Sequence, residues 1–258
     1  INEIIKLFPN NPILIDKYIE EAQEVEVDAI SDGKDVIIAG IMEHIEEAGV
    51  HSGDSACVLP TISLDSKIIS KIREYTIKIS KLLGVIGLIN IQYLIKNNIV
   101  YVLEANPRAS RTIPFVSKAT GIPWAKIATK IILGRMLKDL NIKEKINLEH
   151  ISVKEAVFPF GRLEGVNPIL TPEMKSTGEV IGFDSDLGSA YAKAAMGAGT
   201  TLPIKGNVFI SVNDSDKMEA IPIARDFQEF GFGIFATSGT AKVLKENGVK
   251  TKDIYKVG

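Results

Sequence analysis

Gly87-Leu88-Ile89-Asn90-Ile91-Gln92-Tyr93-Leu94-Ile95-Lys96-Asn97-Asn98-Ile99-Val100-Tyr101-Val102-Leu103-Glu104-Ala105-Asn106 reads as two apolar β-strands joined by an Asn-rich turn. Polar side chains interrupt both strands: Asn90 and Gln92 in the first, Glu104 in the second, with Asn106 at its end. A polar group in such a strand needs a partner, so these positions ask for a network or a ligand. Residues two apart on a strand share a face, which puts Glu104 beside Asn106. Gln92 joins them under one register only. A three-residue loop, Lys96 to Asn98, puts Gln92 and Glu104 on one face, whereas a two-residue Asn97-Asn98 turn sends them to opposite faces. The odd loop is expected. One carboxylate and two amide oxygens then converge, a hard-oxygen set suited to Mg2+ and not to zinc. Arg108 and Arg111 follow at once, cations able to steady the oxyanions of a phosphoryl group in transfer. Together these parts describe a magnesium–nucleotide phosphoryl-transfer site. From the residues alone, a surface Glu104–Arg108 ion pair and a strand ended by Asn106-Pro107 account for the pattern about equally well.

Upstream, Glu24-Val25-Glu26-Val27-Asp28-Ala29-Ile30 alternates polar and apolar, meets a Gly-containing turn at Ser31 to Lys34, and is followed by the apolar run Asp35 to Ile41. This is a hairpin whose polar face carries Glu24, Glu26 and Asp28; alternation alone assigns that face to solvent. Glu43 to Asp54 breaks the period and is expected to be a surface loop or short helix, with Glu43, Glu46 and Glu47 on a solvated helix face. Helical spacing predicts a helix from Leu64 to Leu83, closed by Gly84. A second helix, Trp124 to Leu133, follows the segment between Pro114 and Pro123. Residues 134–199 hold scattered Gly and Pro and short strands at Val153 to Phe158 and Gly178 to Phe183, read as irregular packing on the first part. From Thr200 onward, strand Asn207 to Val212, helix Asp214 to Phe230, strand Gly233 to Thr237 and a helix opened by Ser238-Gly239-Thr240 form a βαβ pattern. Pro222 inside the expected helix implies a kink. Thr237-Ser238-Gly239-Thr240 suits an anion seat at a helix start, and a plain N-cap equally.

The 258 residues are 45% apolar and 24% charged, which excludes disorder and fibrous structure. Thirty basic against thirty-two acidic residues leave a net charge of −2, without the footprint of a general nucleic-acid binder. A lone cysteine, Cys57, makes neither an internal disulfide nor a Cys-based zinc site; it fits a reducing, cytoplasmic setting and is expected to be an inert buried thiol. No apolar run approaches the roughly 20 residues of a membrane helix. His44 and His150 are expected to be structural. The chain opens at Ile1 and not at Met, as a piece of something longer would.

Two long stretches, Gly40-Ile41-Met42-Glu43-His44-Ile45-Glu46-Glu47-Ala48-Gly49-Val50-His51-Ser52-Gly53-Asp54-Ser55-Ala56-Cys57 and the run Leu103 to Gly121 containing Glu104-Ala105-Asn106-Pro107-Arg108-Ala109-Ser110-Arg111, resemble the large chain of carbamoyl phosphate synthetase. The resemblance continues through Ser152 to Glu155, Pro172 to Val180 and Ala236 to Thr240, and so covers essentially the whole chain. It implies an α+β fold: the C-terminal portion of an ATP-grasp domain, an antiparallel sheet flanked by helices, over residues 1–134. An irregular α/β extension would cover 135–198, and a partial α/β methylglyoxal-synthase-like effector domain with a parallel sheet 199–258. It implies an ATP-grasp ligase using ATP and Mg2+ or Mn2+ to phosphorylate carbamate, the second half of a synthesis from bicarbonate, glutamine or ammonia, and two ATP. The implied partners are a small glutamine-amidotransferase subunit, the remainder of the large chain and a nucleotide effector.

By the same resemblance Gln92, Glu104 and Asn106 are metal ligands, and Glu24 holds the nucleotide ribose with Lys17 and Ile19 near the adenine. Gly49, Val50, His51 and Ser52 line the nucleotide and phosphate side, and Arg108 and Arg111 stand near the transferred group. Lys217, Thr237, Thr240 and Lys256 fall on effector-phosphate positions. The lid that closes such a site lies upstream of Ile1 and the effector domain is only part built at Gly258, so the fragment alone is expected to be inactive. Another ATP-grasp carboxylate ligase and a non-catalytic nucleotide-binding regulatory or assembly piece are the alternatives.

Overall fold

In the computed structural model the backbone is described for all residues except 1, 10, 14–16, 143–147, 163–164, 166 and 256–258, and the side chains for all but these, 2–4 and 162. The elements run α1 (Asn2–Leu7), β1 (Gln23–Asp32), β2 (Val36–Glu47), β3 (Cys57–Leu59), α2 (Ser66–Leu82), β4 (Ile86–Lys96), β5 (Ile99–Asn106), α3 (Ile113–Thr120), α4 (Trp124–Ile132), β6 (Ile151–Val157), β7 (Gly178–Asp184) and α5 (Leu187–Gly197). They continue with β8 (Asn207–Ile210), α6 (Ala220–Glu229), β9 (Gly233–Thr237), α7 (Ser238–Glu246) and β10 (Thr251–Ile254). The chain divides at Thr200/Thr201 into two units.

The first unit is built on a seven-stranded sheet of order β5-β4-β1-β2-β3-β6-β7, antiparallel at every pairing. Alternation divides its central strands. Val25, Val27 and Ala29 of β1 with Ile89, Ile91 and Tyr93 of β4 point to one face and bury against Ile68 and Ile72 of α2. That helix starts at Asp65, whose carboxylate accepts from the Lys67 N–H at 2.7 Å, and stops before Gly84 at φ +60. The opposite face changes character along its length. At one end Ile30, Leu88, Ala39 and Met42 meet Phe115, Val116, Trp124 and Ile131 of α3 and α4. Towards the other end the same face carries Glu24, Glu26, Asp28, Asn90 and Gln92, and these form the floor of a cleft.

Two expectations are corrected. Glu43 to Glu47 is the end of β2, neither loop nor helix, and Glu43 is buried, accepting from the Ile62 and Ser63 N–H groups at 2.9 and 3.0 Å and from the Ser63 hydroxyl. The charges of this stretch hid its strand period because some serve as buried anchors. Residues 135–198 carry β6, β7 and α5, and β6 joins the main sheet through β3. Gly182 of β7 permits α5 to lie directly on the sheet: a Cβ there would sit 2.1 Å from the Ala190 carbonyl oxygen.

The second unit is a three-stranded parallel sheet of order β10-β9-β8, with α6 and α7 as the crossovers and a core of Ile221, Ala224, Ile234, Ala236, Ala241 and Leu244. Its first α-helix begins at Ala220, after a separate 3-10 turn at Asp214–Asp216, so Pro222 occupies the third helical position. An N–H in the first turn has no partner within the helix to lose, and no kink is required.

Candidate active site

The turn between β4 and β5 has two residues, not three. Lys96 pairs with Ile99, and Asn97 and Asn98 both have positive φ, 51° and 62°, the combination of a type I′ turn. Parity would then put Gln92 and Glu104 on opposite faces, but a β-bulge intervenes. Tyr93 pairs with Val102 while Gln92 pairs with Glu104, so Leu103 is the extra residue. Gln92 and Glu104 therefore share a face after all, and Asn90 stands opposite Asn106. On the other side of β4, Gln92 pairs with Glu26 and Asn90 with Asp28. Three strands thus contribute to one polar field.

Within the row, Asn106 Nδ2 donates to Glu104 Oε1 at 2.7 Å and Gln92 Nε2 donates to Ser52 Oγ at 3.0 Å. Each amide uses its nitrogen locally, which makes its oxygen the natural ligand atom. Among the described residues no Lys, Arg or His forms an ion pair with Glu104. One carboxylate and two amide oxygens fit a hard divalent cation such as Mg2+.

A cavity of about 500 Å3 opens beside this row, a volume usual for a cofactor-sized ligand. Lys17, Ile19, Glu24, Gly49, Val50, His51, Ser52, Gln92 and Glu104 all line it, together with Tyr18, Leu94, Leu103, Arg108 and Pro172. The 48–55 loop is braced from outside. The His51 N–H donates to the Thr171 carbonyl at 3.0 Å, and the Asp54 carboxylate accepts from the Lys175 and Ser176 N–H groups at 2.7 and 2.9 Å. A second cavity of about 200 Å3 shares His51, Ser52, Gln92 and Arg108 as walls and adds Arg111, Lys154 and Glu179. Asn106 belongs to the hairpin row and lines neither cavity.

Beneath the second cavity lies a buried charge network. Asn90 Nδ2 donates to Glu26 at 2.7 Å and to Asp28 at 2.8 Å, and Asp28 also accepts from Ser110 at 2.7 Å and Thr112 at 2.6 Å. His44, expected to be structural, is fully buried between Glu26 (Nε2, 3.4 Å) and Glu24 (Nδ1, 3.7 Å). Burial pushes the Asp28 carboxyl up to about 7, with the Glu26 charge adding to it. Burial also opposes ionisation of Glu26, but His44, Asn90 and Lys154 outweigh it and hold that carboxyl below its ordinary range. Burial disfavours the His44 imidazolium, yet Cys57, Glu26 and Glu24 raise its pKa well above the usual value. Lys154 is raised likewise by Cys57, Glu26 and Glu179 against its burial, and donates to the carbonyls of Ser55 at 2.5 Å and Ser52 at 3.3 Å. Glu26, His44 and Cys57 offer atoms at metal-ligand spacing. The Lys154 ammonium already supplies positive charge there, so the group reads as a charge network. Glu24, Glu26 and Asp28 are thus buried, where alternation alone had assigned them to solvent.

Asn90 was expected to need a polar partner and Asp28 to lie on a polar strand face, but neither was assigned to the site, and Lys154, Ser110 and Thr112 carried no expectation of a site role. The available signal was Lys154 alternating into an apolar strand, Ser152-Val153-Lys154, where a charge needs partners.

In the second unit, Thr237 Oγ1 lies 3.1 Å from Ser211 Oγ and 3.4 Å from Thr240 Oγ1. Thr237 occupies the N-cap of α7 without a side-chain cap hydrogen bond. A Cβ on Gly239 would meet Lys217 Nζ at 3.0 Å, so that ammonium, which pairs with Asp214, stands over the start of the helix. Lys217, Thr237 and Thr240 come together; Lys256 lies outside the described residues.

Residues 2–140 match the family described as carbamoyl-phosphate synthase L chain, ATP binding domain, and residues 219–258 match the MGS-like domain. The carbamoyl phosphate synthase large chain of Archaeoglobus fulgidus is 60% identical over 258 residues, 100% of this chain and 24% of the relative. A protein of Methanocaldococcus jannaschii named carbamoyl phosphate synthase large chain, C-terminal section, is 53% identical over 265 residues, 99% of this chain and 43% of the relative. The chain therefore spans about a quarter of the first and less than half of the second. Among solved structures, the biotin carboxylase domain of a single-chain bacterial carboxylase superimposes with a TM-score of 0.51 at 16% identity, covering 66% of this chain and 45% of that one, a likeness of fold alone. The architecture is that of an ATP-grasp protein followed by a small parallel-sheet domain of the methylglyoxal-synthase-like kind. The chain belongs to the carbamoyl-phosphate synthase large-chain ATP-binding family. Among the described residues, no helix is long and apolar enough to cross a membrane.

Proposed function

We propose that the chain is the C-terminal part of the carbamate-phosphorylating half of a cytoplasmic carbamoyl phosphate synthetase large chain. Residues 1–134 would be the end of its ATP-grasp domain, 135–198 an extension on it, and 199–258 the start of the effector domain. A carbamate oxygen attacks the γ-phosphorus of ATP, the bond to the β–γ bridging oxygen breaks, and ADP leaves from carbamoyl phosphate. Carbamate would come from bicarbonate and from glutamine or ammonia at the cost of a first ATP. The rest of the large chain and a glutamine-amidotransferase subunit are the expected partners.

The observation that carries this reading is the Gln92–Glu104 pair, with Asn106 beside it, bordering a nucleotide-sized cavity. Bound there, a Mg2+ or Mn2+ ion supplies charge neutralisation to the triphosphate. Glu104 is the anionic ligand of the three and Gln92 and Asn106 the neutral ones. Glu24, a buried wall of the cavity, would accept from ribose hydroxyls, with Lys17 and Ile19 towards the base. Gly49, Val50, His51 and Ser52 present a braced loop to the nucleotide. Arg108, a wall of both cavities, and Arg111, a wall of the smaller one, face the phosphoryl group and its acceptor. Lys217, Thr237, Thr240 and Lys256 are proposed to take an effector phosphate.

The test is Glu104→Gln in the full-length large chain, assayed for ATP formation from carbamoyl phosphate and MgADP. Loss of that transfer by at least about a hundredfold is expected on removal of the charged ligand. Transfer at the unsubstituted rate would refute the catalytic reading and favour a regulatory or assembly role.

A further inference from the structure

Tyr18 was not among the residues anticipated from the sequence, yet it stands in the cavity wall between Lys17 and Ile19. Its ring is largely exposed, at 64%, so apolar burial does not explain its position. Its hydroxyl instead donates to the Ala48 carbonyl at 3.0 Å, across a separation of thirty residues. A second tie joins the same two segments, from the Ala48 N–H to the Ala22 carbonyl at 3.1 Å. Beside these ties lies Gly49, at φ +112, where a Cβ would approach Tyr18 Oη to 2.9 Å. Gly49 is therefore required twice: for a backbone angle that other residues resist, and for room beneath the hydroxyl. The segment carrying Lys17 and Ile19 and the segment carrying Gly49 to Ser52 are both walls of one cavity. The Tyr18–Ala48 bond ties the first wall to the residue that precedes the second.

We infer that Tyr18 is a positioning residue, a latch that holds the two walls at the spacing a nucleoside base requires. This rests on the reading of the cavity as a nucleotide site and goes beyond it. Ile19, Val50, Leu94 and Leu103 give the cavity apolar surface for a flat heterocycle, while at the phosphate end Gln92 and Glu104 pair across β4 and β5 and the His51–Asp54 part of the loop is held separately through Thr171, Lys175 and Ser176. The latch therefore acts on base-bearing ligands and not on bare phosphates.

The experiment compares Tyr18→Phe with the unsubstituted full-length protein by equilibrium binding of MgADP and of Mg-pyrophosphate, which lacks the base, and by steady-state kinetics. Loss of one hydrogen bond predicts MgADP binding weaker by about three- to tenfold and KM for ATP higher by a similar factor. Pyrophosphate affinity and kcat should stay within about twofold, because neither depends on the base wall. Gly49→Ala should weaken MgADP binding less when combined with Tyr18→Phe, where the hydroxyl it would strike is gone, than when made alone. If the unsubstituted protein binds no MgADP, the nucleotide reading itself falls. If it binds and Tyr18→Phe binds equally well, or loses ADP and pyrophosphate alike, the latch is overturned while the nucleotide site stands.

Discussion

Gln92 stands directly opposite Glu104 although the turn that joins their strands has an even number of residues. Leu103, the bulged residue, makes this possible. A regular ladder from the Asn97-Asn98 turn would set Leu103 against Gln92 and push Glu104 to the far face of an edge strand. The bulge does two things at once: it restores the parity of the carboxylate and puts a leucine into the cavity wall.

Two one-residue deletions in β5 should therefore have opposite outcomes. Without Leu103, the ladder from Tyr93–Val102 runs regularly into Gln92–Glu104, so the row survives. Without Ala105, Asn106 falls next to Glu104 and points the other way. Mn2+ binding, followed by electron paramagnetic resonance in the presence of ADP, should stay within about threefold for the first deletion and weaken at least about tenfold for the second. Equal losses would contradict the bulge account.

Lys154 should be a large stability determinant despite its charge. It is buried to 1% exposure against Glu26, Cys57 and Glu179, and its removal leaves carboxylates without their cation. Lys154→Met is expected to cost about 3–5 kcal/mol in urea unfolding, with part of that recovered by adding Glu26→Gln. A cost below about 1 kcal/mol would mean that His44 alone neutralises the cluster.

Stability should fall as pH rises through the mildly acidic range. The Asp28 carboxyl, pushed up to about 7 by burial and by Glu26, stays protonated in the folded chain where the unfolded chain has already ionised near pH 4. Between those values the native state holds the extra proton, so unfolding free energy declines with rising pH. His44, raised above its usual value, adds a further decline only above about pH 6.5. From about pH 5 to 6.5 the decline should thus be shallower for Asp28→Asn than for the unsubstituted chain, as measured by urea unfolding at a series of pH values. Identical slopes would contradict the assignment.

Much of this architecture was legible in the residues because period and punctuation agreed. The Leu64 to Leu83 spacing with Gly84 gave α2, and the alternation from Glu24 to Ile30 gave β1 and the common face of its acidic residues. What stayed hidden depended on tertiary context. Nothing in Val102-Leu103 says which residue bulges, since both are apolar and stand on an exposed edge. Glu43 looked solvated because charge usually is; its role in receiving the Ile62 and Ser63 N–H groups comes from a segment about twenty residues away. Lys154 lies about a hundred residues from the Ser52 and Ser55 carbonyls it serves, beyond any local pattern. Pro222 looked like an interruption only because the helix was started six residues too early.

The most direct test is a crystal structure of the protein soaked with MnADP, recorded near the manganese absorption edge. An anomalous peak within about 2.3 Å of Glu104 and of the Gln92 and Asn106 amide oxygens, with the diphosphate bridging to it, is the predicted result. Manganese bound instead among Glu26, His44 and Cys57, or ADP seated in the cavity with no ion at the hairpin row, would contradict it.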